Sequence, residues 1–135
     1  MFEKISHIGI AVKDIKASST LFQTLFGKSP DHVEDLPEHK VKTAMFTVGE
    51  SAIELTEALD PESPIARFIE KRGEGVHHVS FIVDDIEAEL ARLKAAGFQL
   101  IDERPRPGAD GHRVAFLHPK STNGVLIEIS QKQAR

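Results

Sequence analysis

The chain carries one pattern twice. Residues 5–15, ISHIGIAVKDI, lie over residues 76–86, VHHVSFIVDDI, so that His7 falls on His78, Asp14 on Asp85 and Ile15 on Ile86, an offset of 71. The stretches that follow, KASSTLFQTLFG and EAELARLKAAG, both read as amphipathic helices that open at an aspartate cap and stop at Gly27 or Gly97. Further on, TAMFTVG lies over RVAFLHP and AIELT over LIEIS, which puts Glu54 on Glu128 at an offset grown to 74 by the longer turn HPKSTNG. A repeat of this kind constrains the fold before any single residue does. The expected architecture is α+β, two βαβββ modules in tandem, at about 4–58 and 75–131. A linker at about 59–74 contains a short helix capped by Ser63 with Pro64 at its first position. The two modules are expected to form one curved mixed sheet around a cavity, within a single domain of residues 1–135.

Composition narrows the function. With 40% hydrophobic and 28% charged residues, and no apolar run near the ~20 residues of a membrane span, the chain reads as soluble and without membrane contact. MFEKISHIG has neither the charged region nor the apolar core of a signal peptide, so the expected location is the cytoplasm. The net charge of -4 argues against nucleic acid as a partner. With no cysteine, only His, Asp and Glu remain as strong metal ligands.

Strand alternation then sorts the polar residues. His7 falls on the face opposite Ile8, Ile10 and Val12, and His78 opposite Val79, Phe81 and Val83. In IEL and IEI the flanking Ile53, Leu55, Ile127 and Ile129 take the helix-covered face, turning Glu54 and Glu128 the other way. Two imidazoles and two carboxylates on one face supply an N2O2 set for a divalent cation, with positions left open for water or substrate. Taken singly, each histidine is more often a packed residue and each glutamate part of a solvated face. At equivalent positions of a duplicated unit, coincidence is the weaker account. His77 points to the opposite face, its equivalent is Ser6, and a structural role is expected; His32, His39, His112 and His118 have no counterpart and are assigned no metal. KRGE at 71–74 and the terminal QKQAR read as solvent-facing.

Together the paired modules and the His/Glu set resemble the vicinal oxygen chelate superfamily, which includes glyoxalase I, extradiol dioxygenases and methylmalonyl-CoA epimerases. Three stretches look like the epimerases in particular: SHIGIAV at 6–12, DPESPIARFIEKRGEGVHHVSF at 60–81 and HPKSTNGVLIEI at 118–129. The resemblance implies metal ligation by His7, His78 and Glu128 with Glu54 as the fourth ligand. By the same resemblance Co2+ ranks first, ahead of Mn2+, Ni2+ or Zn2+. It implies an acyl-CoA substrate and interconversion of (2R)- and (2S)-methylmalonyl-CoA through a metal-stabilised enolate, with Glu128 and Glu54 as catalytic residues. A homodimer with each site inside one chain is also implied. Some epimerases place a glutamate base on the third strand where this chain has Thr43, so Glu54 is expected to double as ligand and base. Lys120, Arg104, Arg106 and Arg113 are candidates for the coenzyme A tail, or else surface charge. Two alternatives stay open: a glyoxalase-I-like lyase acting on a thiol hemithioacetal, and a metal-free small-molecule-binding member.

Overall fold

Asp14 opens the first helix, α1 (Ile15–Phe26), by accepting from the amides of Lys16 and Ala17, which satisfies two N–H groups that an α-helix leaves without partners. Asp85 does the same for α3 (Ile86–Ala95) through the amide of Ala88. Between them Ser63 caps α2 (Pro64–Arg72) through the amide of Ile65, with Pro64 at the position that has no N–H to lose. Gly27 ends α1 in the left-handed region at φ 71°, where a side chain would be strained. At the end of α3 the amides of Gly97 and Phe98 bond back to the carbonyls of Lys94 and Leu93, the paired bonds of a Schellman stop.

These helices alternate with strands β1 (Phe2–Ala11), β2 (His32–Leu36), β3 (Val41–Val48), β4 (Ser51–Ala58), β5 (Gly75–Val83), β6 (Arg106–Pro107), β7 (His112–Leu117) and β8 (Ile127–Lys132) in the computed structural model, which describes residues 1–133. The expected βαβββ order is thus present twice. All eight strands belong to one mixed sheet in the order β2-β3-β4-β1-β5-β8-β7-β6. Contacts divide the chain into two compact units, one of Ile8–His77, the other of Met1–His7 with the chain from His78 onward, so that β1 contributes to both.

In the unit of Ile8–His77, the register Ala44↔Leu55 and Phe46↔Ile53 sets these four residues on one face, which α1 covers. Val12, Ile15, Ala44, Phe46 and Leu55 are buried there with Ile10, Phe22, Phe26 and Ile53 against them. Phe46 meets Phe26 and Phe22 at ring separations of 5.5 and 6.3 Å, and burial of side chains this size stabilises by about 1.5–3 kcal/mol each. Residues of opposite parity, Thr43, Met45, Glu54 and Thr56, face away from that core. His77 packs its ring edge against Phe68 of α2 at 5.0 Å, the structural role expected of it.

In the second unit, Val83, Ile86, Leu90, Ala115 and Ile129 form the core between α3 and the sheet. Parallel pairing of β5 with β8 sets Ser80 against Glu128, and antiparallel pairing of β7 with β8 sets Phe116 against Glu128. β6 is only two residues long. Its sequence, RPRPG, explains why, since Pro105 and Pro107 have no amide to give to a ladder.

The two stretches read as solvent-facing are largely exposed, at Lys71, Arg72, Glu74, Lys132 and Gln133, and one side chain of each also bonds to backbone. Glu74 of KRGE accepts from the Lys13 amide at 2.8 Å, and Gln131 of QKQAR accepts from the Ile86 amide at 2.8 Å through its side-chain oxygen. Each side chain satisfies a backbone N–H that the local helix or turn leaves open. Ala134 and Arg135 of QKQAR lie outside the described residues.

Candidate metal centre

Three of the four expected site residues converge within the unit that joins Met1–His7 to the chain from His78. β1 supplies His7, β5 supplies His78 and β8 supplies Glu128, with 7%, 4% and 7% of their surfaces exposed. The Nε2 atoms of His7 and His78 stand 3.1 Å apart, and His7 Nε2 is 3.3 Å from Glu128 Oε1. Their rings are nearly perpendicular, at 88° and 5.2 Å. Ser6 Oγ lies 3.1 Å from His7 Nδ1. That contact fixes the ring with Nε2 turned toward the other two groups, as the outer partner of a ligating imidazole commonly does. The His78 ring also meets the Phe116 ring nearly at right angles, at 79° and 5.9 Å.

The donor set fits a cation. Glu128 Oε1 is buried and makes no hydrogen bond, a costly state for a carboxylate oxygen left without a counter-charge. For metal–ligand bonds of about 2.0–2.2 Å, two adjacent ligand atoms of one ion stand about 3.0–3.4 Å apart. The 3.1 and 3.3 Å separations seen here have that length. Two buried imidazoles beside a buried carboxylate are the donor types that a divalent ion takes.

Glu54, the remaining expected ligand, belongs to the other unit. It is 5% exposed on β4, in register with Met45 and turned away from the core under α1. Thr43 is buried on the same face, and its hydroxyl donates to the Glu34 carbonyl at 3.3 Å. Histidines assigned no metal are engaged elsewhere: His32 Nε2 contacts Glu34 Oε1 at 2.8 Å, His112 Nδ1 lies 3.2 Å from the Asp110 carbonyl, and His118 Nδ1 accepts from the Lys120 amide.

The basic candidates separate by face. Arg113 is in register with Gln131 and pairs with Glu87 of α3 at 2.7 Å, on the helix side. There, with Arg104, Lys94 and Leu100, it lines a cleft of about 500 Å3. Arg106 pairs in register with Val114 and places its guanidinium over Phe116 at 5.8 Å, on the face of Glu128. Its Nε is 3.2 Å from Asp102 Oδ1. Lys120 is exposed in the 3-10 turn of residues 119–121.

Ser6, Phe116 and Ser80 were not read from the sequence as part of this surface. Ser80 and Phe116 were within reach of it: Ser80 follows His78 by two along a strand, and Phe116 has the parity opposite to the core residue Ala115.

Residues 6–116 match the Glyoxalase/Bleomycin resistance protein/Dioxygenase superfamily. An ethylmalonyl-CoA/methylmalonyl-CoA epimerase of Cereibacter sphaeroides is 38% identical over 97% of this chain and 99% of its own. Among solved structures, a Streptomyces coelicolor methylmalonyl-CoA epimerase in complex with 2-nitronate-propionyl-CoA matches with a TM-score of 0.96 at 34% identity, over 99% of this chain and 97% of that one. A methylmalonyl-CoA epimerase in complex with methylmalonyl-CoA and NH4+ matches with a TM-score of 0.95 at 34% identity, over the same shares.

Proposed function

We infer that this chain, which belongs to the Glyoxalase/Bleomycin resistance protein/Dioxygenase superfamily and within it to the family of the methylmalonyl-CoA epimerases, interconverts (2R)- and (2S)-methylmalonyl-CoA with the aid of a divalent metal ion. The observation that carries the metal is the buried Glu128 oxygen without a hydrogen-bond partner, 3.3 Å from an imidazole that is itself 3.1 Å from a second one. His7, His78 and Glu128 are the ligands in this reading. Glu54 joins them as the fourth, on the strength of its equivalence to Glu128 in the repeat and its burial on the face away from the helices. An N2O2 set with open positions admits Co2+, Mn2+, Ni2+ or Zn2+, and resemblance to the epimerases alone ranks Co2+ first. The ion, when bound, stabilises the negative charge that develops on the thioester oxygen as the α-proton leaves.

What the chain's own residues do is move protons. The α-carbon lies between a thioester and a carboxylate, and inversion requires a proton to leave one face and another to arrive at the opposite face. One glutamate accepts the α-proton while the C–H electron pair passes toward the thioester carbonyl; the other, already protonated, returns a proton to the far side as that pair comes back. Glu128 and Glu54 belong to different copies of the repeat, which supports giving one face to each. Arg106, on the face of Glu128, is the candidate among the four basic residues for an anionic part of the thioester substrate.

The test is exchange of the substrate α-proton. Metal-loaded protein in D2O should place deuterium at the α-carbon of methylmalonyl-CoA while converting one epimer to the other. No exchange, with turnover of a thiol hemithioacetal instead, would replace this reading by the lyase. Retention of a complete buried ligand set disfavours a metal-free binding protein. No helix among the described residues is long and apolar enough to cross a membrane. The same reading includes a homodimer in the cytoplasm; a clean monomer by light scattering at micromolar concentration would remove the dimer.

A further inference from the structure

Among the described residues, three buried side-chain atoms have no hydrogen-bond partner: Glu128 Oε1, Arg106 Nε and Ser80 Oγ. All three belong to the unit of His78 and Glu128, and on one face of it. Ser80 pairs in register with Glu128, Glu128 with Phe116, and Arg106 with Val114, two residues before Phe116. Unsatisfied groups left by indifferent packing would have no reason to share a face. A bound cation accounts for the Glu128 oxygen, and Arg106 Nε has the Asp102 carboxylate at 3.2 Å. The Ser80 hydroxyl remains. It is 0% exposed, so water does not satisfy it from bulk solvent, and a buried hydroxyl without a partner costs about 1–3 kcal/mol.

We propose that Ser80 is a positioning residue for Glu128: its hydroxyl donates a hydrogen bond to the Glu128 carboxylate when that carboxylate ligates the ion, and so fixes the ligand's orientation. Neighbouring strands lie about 4.8 Å apart, which leaves a serine hydroxyl and a glutamate carboxylate of paired residues within reach of one another. The hydroxyl turns among three staggered positions, so no backbone movement is needed. A ligating carboxylate is normally held by such an outer partner, and losing it typically weakens metal binding 10–100-fold. The first copy of the repeat offers no such group, because the residue two after His7 is Gly9.

This inference rests on the metal reading above, and calorimetric titration of the apoprotein with Co2+ separates the two. Parental protein that takes up no ion defeats the metal reading itself. If it does bind, Ser80→Ala should bind about 10–100-fold more weakly. In a Glu128→Ala background the same substitution should cost little further, since the group that Ser80 holds is gone. The melting temperature of the apoprotein supplies a second readout: Ser80→Ala removes an unpaired buried hydroxyl, so apo stability should hold or rise. Parental affinity in Ser80→Ala would overturn the proposal, as would an equal loss in both backgrounds. A fall in apo stability, or failure to fold, would overturn it too, because it would show the hydroxyl to be a structural bond of the apo fold.

Discussion

The two copies of the repeat anchor their helices alike and differ on the strand that precedes each helix. In the first copy Glu57 of β4 accepts from the Ile15 amide at 2.7 Å; in the second, Gln131 of β8 accepts from the Ile86 amide at 2.8 Å. Each lies three residues beyond the glutamate proposed for the site, Glu54 or Glu128. The strand that carries the proposed site carboxylate is therefore pinned to the start of the helix behind it. On β1 and β5 the copies part: Gly9 occupies the place of Ser80. Buried hydroxyls of the first copy are spent on backbone, Thr43 on the Glu34 carbonyl and Thr56 on the Ile10 carbonyl. All the buried side-chain atoms without a hydrogen bond among the described residues lie in the second unit. Duplication thus supplied the frame twice, while polar groups awaiting a partner were concentrated on one side.

If the two histidines are equivalent ligands, His7→Ala and His78→Ala should be equally damaging. Each should lower bound metal from about one ion per chain to a small fraction and reduce epimerisation to background, the largest effects expected here. Elemental analysis and the Co2+ absorption spectrum report the loss. Unchanged stoichiometry in either variant breaks the equivalence and removes that histidine from the site.

The two glutamates are the sharper comparison. Glu128→Gln and Glu54→Gln, each first shown to retain its ion, should depress epimerisation by about 10²-fold or more, the scale of losing a positioned general base. Each should still exchange the α-proton of one epimer with solvent, and of opposite epimers if the two work on opposite faces. Metal-replete Glu54→Gln at the parental rate would reduce Glu54 to a ligand and send the second proton elsewhere.

How far the sequence could have carried this comparison differs from residue to residue. The repeat offset picked out His7, His78, Glu54 and Glu128 as candidates, because duplication compares the chain with itself, and alternation then assigned their faces. The aspartate caps were legible because their bonds span two or three residues. The Gln131 and Glu57 anchors span 45 and 42 residues, and nothing local in QKQAR announces a bond to Ile86. Ser80 was hidden for another reason: a serine in a strand is unremarkable until its register with Glu128 and its lack of a partner are known. The division of Arg106 from Arg113 between faces needed the β6–β7 pairing, which a two-residue strand between prolines does not signal.

Stability variants test the shared frame. Glu57→Ala and Gln131→Ala each leave a helix amide unbonded, and each should cost about 1 kcal/mol in urea unfolding, additively because they lie at different helices. A strongly unequal pair would show that one copy tolerates a loosened helix. Gly108→Ala probes what only the second copy has, since a methyl there would stand 2.6 Å from Val114 Cγ1, and Val114 is buried. The expected cost is about 1–3 kcal/mol, from crowding, because Gly108 has an ordinary extended φ of -130°. Parental stability would mean that Val114 has room to turn aside.

The smallest effect concerns the loops before the middle strands, where an aspartate in each copy accepts a strand amide. Asp31 accepts from Thr47 at 2.7 Å and Asp102 from Phe116 at 2.9 Å. Asp31 has in addition the Lys28 ammonium at 2.9 Å. Lys28 first, and the Thr47 amide second, hold its carboxyl below the usual aspartate value of 3.8. A depressed carboxylate pKa stabilises the fold at pH above the unfolded value, and that stabilisation disappears as the pH falls through the folded one. Asp31→Asn should therefore be slightly less stable than the parent near neutral pH, and the difference should vanish in acid, below the folded pKa. Salt separates the two causes. Asp31 is exposed enough for about 1 M NaCl to screen Lys28, whereas the amide bond persists. A difference that shrinks but survives in salt would confirm that the Thr47 bond contributes, and that the aspartate–amide link common to the two copies stabilises both; complete loss in salt would leave Lys28, present in only one copy, as the whole cause.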